Sequence, residues 1–298
     1  MAKKKSKENP VKNVNVISSL TEKDEIYKAA YRDLIFFGRA FLPNDFLNKS
    51  GTPDFHRDVA KKLISTKPGG RLCNILPRGF GKSILAKAAI MHKLCFGAKG
   101  KRQFIAWIGE EQGQAIDHLK YLKNHLEVNK TIKYYFGDLA GDSAGKRWTE
   151  KDIVTAKGDR IIAKGTSQRL RGRTEVDVRY TGIILDDFES ELNTKTPERR
   201  SEIKKWVVST VYPALEESPG NEGWIWLSGT IVHYDSFLQM IYEGANDAKK
   251  TKRKYPWTVT FKRAMESGNP LWADQFSLTK LERKRQERLM TETYRNRN

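Results

Sequence analysis

The residues best suited to chemistry fall in one short run, Leu72-Cys73-Asn74-Ile75-Leu76-Pro77-Arg78-Gly79-Phe80-Gly81-Lys82-Ser83. An apolar stretch feeds a turn with two glycines, the turn closes on Gly-Lys-Ser, and a helical pattern follows. That order suits a loop that wraps phosphate. Glycines let the backbone curl until several N–H groups face one point, and the helix N-terminus adds partial positive charge there. In such a loop Pro77, Arg78, Gly79, Phe80 and Gly81 supply the wrapping backbone. Lys82 reaches the β- and γ-phosphates, and the Ser83 hydroxyl holds Mg²⁺. The chemistry implied is hydrolysis of a nucleoside triphosphate such as ATP. The general pattern G-x-x-x-x-G-K-[ST] puts glycine at position 76, where this chain has Leu76.

Two further groups complete a constellation. Ile183-Ile184-Leu185-Asp186-Asp187-Phe188-Glu189 has the form of a Walker B strand, an apolar run delivering a carboxylate to the edge where open α/β sheets bind ligands. Asp186 is expected to hold Mg²⁺ together with Ser83. A second acid would orient and deprotonate the attacking water. Asp187 is nearest in register and Glu189 has the longer reach, and the sequence does not separate them. Trp226-Leu227-Ser228-Gly229-Thr230 ends another apolar run in small hydroxyl residues, so Ser228 and Thr230 could hydrogen-bond near the γ-phosphate.

The elements that must position these groups follow from periodicity. Apolar residues recur at helical spacing over 25–41, and helices are also expected over 54–65, 82–95, 111–128, 197–212 and 278–290. Buried strands are expected at 72–76, 103–109, 181–187 and 224–228, with another near 257–261. Segments 152–156 and 160–163 read as a hairpin around Lys157-Gly158-Asp159. Apolar strands alternating with helices argue for an α/β fold of the P-loop NTPase type: a mainly parallel sheet with helices on both faces, plus a small helical lid subdomain. The expected organisation is a disordered basic arm over 1–22, the ATPase domain over 23–262, and a helical linker segment over 263–298.

Composition narrows the partners. The 298 residues carry a net charge of +19, an excess that favours a polyanionic partner such as nucleic acid. Two cysteines exclude a disulfide framework, and the five histidines show no zinc-like spacing. No run of about 20 apolar residues is present, so no membrane span or membrane partner is expected. The lysine-rich N-terminus has no apolar segment behind it and is not a secretory signal.

Taken together, Phe55-His56-Arg57, Pro77 to Ser83, Arg171-Gly172, Asp186-Asp187-Phe188-Glu189, Gly229-Thr230-Ile231-Val232-His233-Tyr234-Asp235 and the late Pro270-Leu271-Trp272 and Phe276-Ser277 resemble, in order, the large terminase subunit of tailed bacteriophages. The resemblance runs from about residue 30 to the end. It implies an ATPase motor that drives double-stranded DNA into a preformed capsid, working in the host cytoplasm and transiently at the portal vertex of the procapsid. It implies as partners the portal, the small terminase subunit and further copies of the chain in a ring, of five by expectation. It places adenine contacts at Phe55 and His56, a phosphate contact at Arg78 and the coupling of hydrolysis to DNA movement at Gly229-Thr230. It also offers a trans-acting arginine finger, Arg171 first and then Arg173; a DNA-facing basic loop is the competing reading of that segment.

The chain departs from the family in two respects. The usual Asp-Glu pair is Asp-Asp-x-Glu. The nuclease domain that follows the ATPase domain in the family is not expected in a chain ending at Asn298, and DNA cleavage is not expected of it. Two rivals remain: a two-domain helicase or translocase, for which only about 70 residues follow Ser228, and a non-hydrolysing DNA-binding assembly adaptor.

Overall fold

The computed structural model describes residues 20–46, 51–97, 101–141, 147–170 and 179–295. Most of the arm expected over 1–22, and both Arg171 and Arg173, lie outside the described residues.

A seven-stranded sheet organises the fold. Its strands are β1 (Arg71–Ile75), β2 (Phe104–Gly109), β3 (Asp152–Val154), β4 (Arg160–Gly165), β5 (Gly182–Asp186), β6 (Trp224–Gly229) and β7 (Thr258–Phe261). They lie in the order β3-β4-β2-β5-β6-β1-β7. Every neighbouring pair is parallel except β3 with β4, which is the hairpin expected around Lys157-Gly158-Asp159. The four apolar runs are the central strands β1, β2, β5 and β6. Each is covered on both faces, which is why they show no polar alternation in the sequence.

Helices cover both faces. On one face α4 (Lys82–Phe96) and α5 (Gln112–Val128) pack on Leu72, Ile105, Trp107, Ile184, Trp224 and Trp226. On the other, α7 (Pro197–Trp206) and α8 (Phe237–Lys250) cover Cys73, Ile75, Ile183, Leu185, Ile225 and Leu227. Helices α1 (Leu20–Arg32), α2 (Leu34–Phe41) and α3 (Asp54–Ile64) join the first core, and α6 (Lys130–Phe136) follows α5 directly. A two-stranded pair, β8 (Met265–Glu266) and β9 (Asn269–Pro270), precedes the last helix, α9 (Leu278–Arg295). The expected boundary at 262 does not interrupt packing. Ala264, Leu271, Trp272, Phe276 and Leu281 all return to the first core.

Two helices differ from expectation for local reasons. The single helix expected over 25–41 breaks at Asp33, whose carboxylate accepts from Ile35 N at 2.7 Å and Phe36 N at 3.1 Å. The side chain restarts the helix as an N-cap, and a periodicity count does not register that event. The helix expected over 197–212 stays regular only to Trp206. It then widens into a π turn over Val207–Val211 and tightens over Tyr212–Ala214. Pro213 has no N–H to offer the preceding turn and crowds the carbonyl four residues back.

Asp33 supplies a direct check on this account. Asp33→Ala should cost about 1 kcal/mol and lower the thermal midpoint, whereas Asp33→Asn, an equally good cap, should stay near the parent. Circular dichroism melts of the three proteins would measure this, and an unaffected Asp33→Ala protein would remove the capping explanation.

Candidate active site

Side chains alternate across each strand. On the α4 face the apolar series therefore ends in three polar residues at the carboxyl edge. Asn74 follows Leu72 on β1, Ser228 follows Trp226 on β6, and Asp186 follows Ile184 on β5. They sit in one register row, because Ser228 is paired with Asn74 on one side and with Asp186 on the other. All three are buried, between 3 % and 5 % exposed. Asp186 Oδ1 and Asn74 Oδ1 have no hydrogen-bond partner among the described residues.

The loop leaves β1 at this row. Leu76 prolongs the strand, donating its N–H to Gly229 O at 3.1 Å and burying its side chain. Its φ is not positive, so the glycine of the general pattern is not needed there. Gly81 is different. It sits at φ +76° immediately before α4, and a Cβ there would lie 2.8 Å from His56 Nε2. The loop is thus pressed against α3.

Lys82 opens α4 and curls back over the loop. Its Nζ donates to Leu76 O at 3.2 Å, Pro77 O at 3.1 Å and Thr230 Oγ1 at 3.2 Å. Thr230 in turn donates to Leu76 O at 2.9 Å. Asp187 Oδ1 stands 3.9 Å from the ammonium. Burial pushes the Lys82 pKa down, and Asp187 and Asp186 oppose that shift. Asp187 itself is raised by burial, with Lys82 opposing. Ser83 follows Lys82 in the first turn of α4 and is partly buried. Arg78 is exposed and has no hydrogen bond or ion pair with a described residue, though its charge acts on both Lys82 and Asp187.

The two candidate acids have different surroundings. Asp187 adopts φ +44°, a left-handed conformation that Asp tolerates better than most residues, and its side chain is half exposed beside Lys82. Glu189 is buried, and both its oxygens are committed. Oε1 accepts from Phe237 N at 2.6 Å and Oε2 from Leu238 N at 2.9 Å. It therefore caps the start of α8, where the helix dipole favours a carboxylate. Burial raises the Glu189 pKa and those two N–H groups oppose the rise.

Phe55 and His56 are the residues at which the resemblance implies adenine contacts. They are only 4 % and 5 % exposed and pack behind the loop. His56 Nε2 lies 3.0 Å from Phe80 O, and since a carbonyl only accepts, the ring carries its proton on Nε2. Burial pushes the His56 pKa down, and the hydrogen bond to Phe80 opposes that shift. Trp272 stands edge-on to His56 at 4.8 Å, and Phe276 stacks on Phe80 at 4.7 Å with the rings 5° from parallel. These contacts support the loop from behind.

Four contributors carry little or no signal of their own in the sequence. Trp272 and Phe276 were visible only as members of the ordered motif set. His118, a lone histidine on α5, places Nε2 3.2 Å from Asp186 Oδ2. Asn74 was quoted within its strand but carries no sequence signal of its own.

The Gly229 to Asp235 segment connects this site to the other face. Beyond Thr230 it reaches Asp235, which accepts from Arg200 Nε at 2.9 Å and from Lys204 Nζ, both on α7. Ser236 then caps α8, accepting from Gln239 N at 3.2 Å.

No protein-family model matches the chain, and no curated protein matches it. The fold is a mainly parallel α/β sheet with helices on both faces, and the loop and the Asp186 carboxylate meet at one of its edges. Among solved structures, the chain is similar to the HK97 bacteriophage large terminase, with TM-score 0.51 and 15 % identity over 80 % of this chain. The match spans 44 % of that terminase's length, and it shows a shared fold. The Phi-28 gp11 DNA packaging motor aligns with 70 % of this chain and 60 % of its own at 14 % identity, but with a TM-score of 0.35 the superposition carries no argument.

The ion pairs at Asp235 predict a pH dependence. Hydrogen bonds from Lys204 and Arg200 hold its pKa at about 2, below the ordinary 3.8. A lowered carboxylate pKa stabilises the fold above the ordinary value, and that contribution is lost as pH falls toward the folded one. The gap in thermal midpoint between the parent and Asp235→Asn should therefore be constant above about pH 5 and close between about pH 4 and pH 2. A gap independent of pH would mean that these contacts do not act on stability.

Proposed function

We propose that this chain is an ATP-hydrolysing motor that translocates double-stranded DNA into a viral procapsid. The observation that carries the hydrolytic part is Asp186 Oδ1, a buried carboxylate oxygen without a hydrogen-bond partner among the described residues, on the strand separated by β6 from the strand that launches the loop. A buried anion of this kind calls for a cation. A hard, oxygen-seeking ion such as Mg²⁺ suits a carboxylate with a hydroxyl from Ser83 and water. The terminase fold and the net charge of +19 support the DNA-packaging part.

In this reading the loop's backbone N–H groups and the α4 N-terminus bind the β- and γ-phosphates. Lys82 exchanges its contacts with Leu76 O and Pro77 O for phosphate oxygens, and its charge stabilises the transition state. When bound, Mg²⁺ supplies charge neutralisation at the phosphate oxygens, held by Ser83 and Asp186. Asp187 orients the attacking water and accepts its proton, and its raised pKa makes it a better base than an ordinary carboxylate. Glu189 serves the fold as the cap of α8. Thr230 touches both Lys82 and Leu76 O, so a change in Lys82 contacts passes along the Gly229 to Asp235 segment to α7 and α8. Arg78 is the candidate phosphate contact from the loop, and Arg171 or Arg173 the candidate finger toward a neighbouring copy. The proposed assembly is a ring, of five by family likeness, docked on the portal with the small terminase subunit and acting in the host cytoplasm.

Packaging must proceed on any DNA sequence, so contacts should be to the phosphate backbone. DNA affinity should then fall by about 10³-fold or more between about 50 mM and 200 mM salt. Fluorescence anisotropy with unrelated duplexes of equal length would measure this, and strong preference for one duplex would count against it.

The hydrolytic reading is tested by ATP turnover with DNA and portal-bearing procapsids present. Lys82→Ala should abolish it. Asp187→Asn, which keeps the left-handed backbone comfortable, should lower kcat by about 10²–10⁴-fold with little change in thermal midpoint. Glu189→Ala should instead cost about 3 kcal/mol of stability. A parent protein that turns over no ATP with its partners present would favour the adaptor reading. Loss of kcat in a stable Glu189→Gln protein, with Asp187→Asn active, would reverse the two acids.

A further inference from the structure

Asp186 carries two oxygens with unlike surroundings. Oδ1 has no partner among the described residues, while Oδ2 lies 3.2 Å from His118 Nε2. His118 projects from α5, and its ring packs on Trp107 with centroids 4.8 Å apart and a 32° tilt. Trp107 is wholly buried on β2, the strand beside β5, so the imidazole has a rigid floor. A carboxylate at a strand end can rotate about its last torsion, and that torsion is soft. An imidazole fixed against Oδ2 removes the freedom and leaves Oδ1 as the oxygen without a hydrogen-bond partner among the described residues.

From this arrangement we infer that His118 is a positioning residue for the divalent cation, setting the Asp186 carboxylate so that Oδ1 is presented to the metal. It is not a ligand and touches no reacting atom. The inference rests on the proposed triphosphate site, because it names the residue that orients one of that site's ligands. Its basis is general. Partners hydrogen-bonded to a metal-ligating carboxylate fix its orientation, and their loss typically weakens metal affinity by about 10–100-fold. Here the relevant contact comes from a helix with no other part in the loop.

The experiment separates metal binding from nucleotide binding, using the full chain. Mn²⁺ replaces Mg²⁺ and is followed by electron paramagnetic resonance with a non-hydrolysable ATP analogue at saturation. Binding of a fluorescent form of the analogue in EDTA reports the loop alone. His118→Leu should raise the half-saturating Mn²⁺ concentration by about 10-fold or more and leave binding in EDTA within about two-fold. His118→Gln keeps a donor near the position of Nε2 and should recover most of the metal affinity. Equal Mn²⁺ affinity in parent and His118→Leu overturns the inference alone. Equal loss with and without metal also overturns it, since His118 would then only support the local fold. Absence of metal-dependent binding in the parent overturns the proposed site and this inference together.

Discussion

A carboxylate oxygen buried without a partner is costly, by several kcal/mol in protein interiors. Among the described residues Asp186 Oδ1 at the end of β5 is such an oxygen, and the surrounding structure explains why it is tolerated. The strands on the α4 face run apolar until their last inward position and there change together to Asn74, Ser228 and Asp186. The change occurs where β1 turns into the loop and α4 begins. A polar floor, a helix N-terminus and a buried lysine thus converge at one sheet edge. Parallel order makes this possible, because it brings the carboxyl ends of β1, β6 and β5 side by side.

The loop is held from behind as firmly as it is presented in front. His56 bonds Phe80 O, Phe276 stacks on Phe80, and Trp272 closes against His56. These contacts tie α3, the loop and the chain beyond β9 into one unit. On the front, Thr230 and Lys82 share the Leu76 carbonyl as acceptor. The segment that begins at Gly229 ends at Asp235, which is bonded to two cations of α7. A displacement at Lys82 therefore has a short covalent route to the opposite helical layer, with hydrogen bonds at both ends.

Much of this was legible in the sequence. Strands buried on both faces are continuous apolar runs, so β1, β2, β5 and β6 and their parallel order could be read directly. The Gly-Lys-Ser turn and the Asp186 strand end were equally plain, because the residue types carry their chemistry with them. What escaped depends on tertiary contact. Asp187 and Glu189 differ only in what approaches them, and the N–H groups that occupy Glu189 come from a helix 48 residues away. His118 reads as one more helical residue until α5 is laid beside β5. Phe55 and His56 show in the sequence only as an aromatic pair at a helix start, and their packing against Phe80 and Trp272 depends on segments far along the chain. The break at Asp33 escaped because one side-chain cap interrupts an apolar period without altering it.

The central claim is that Lys82, Ser83 and Asp186 together hold a triphosphate with its metal. A structure determined with Mn²⁺ and a non-hydrolysable ATP analogue, with the metal located by its anomalous signal, tests it most directly. The account predicts the metal between Ser83 Oγ and Asp186 Oδ1, with Lys82 Nζ moved from the Leu76 and Pro77 carbonyls to phosphate oxygens. A triphosphate bound elsewhere, or a metal whose coordination omits Asp186, would contradict it.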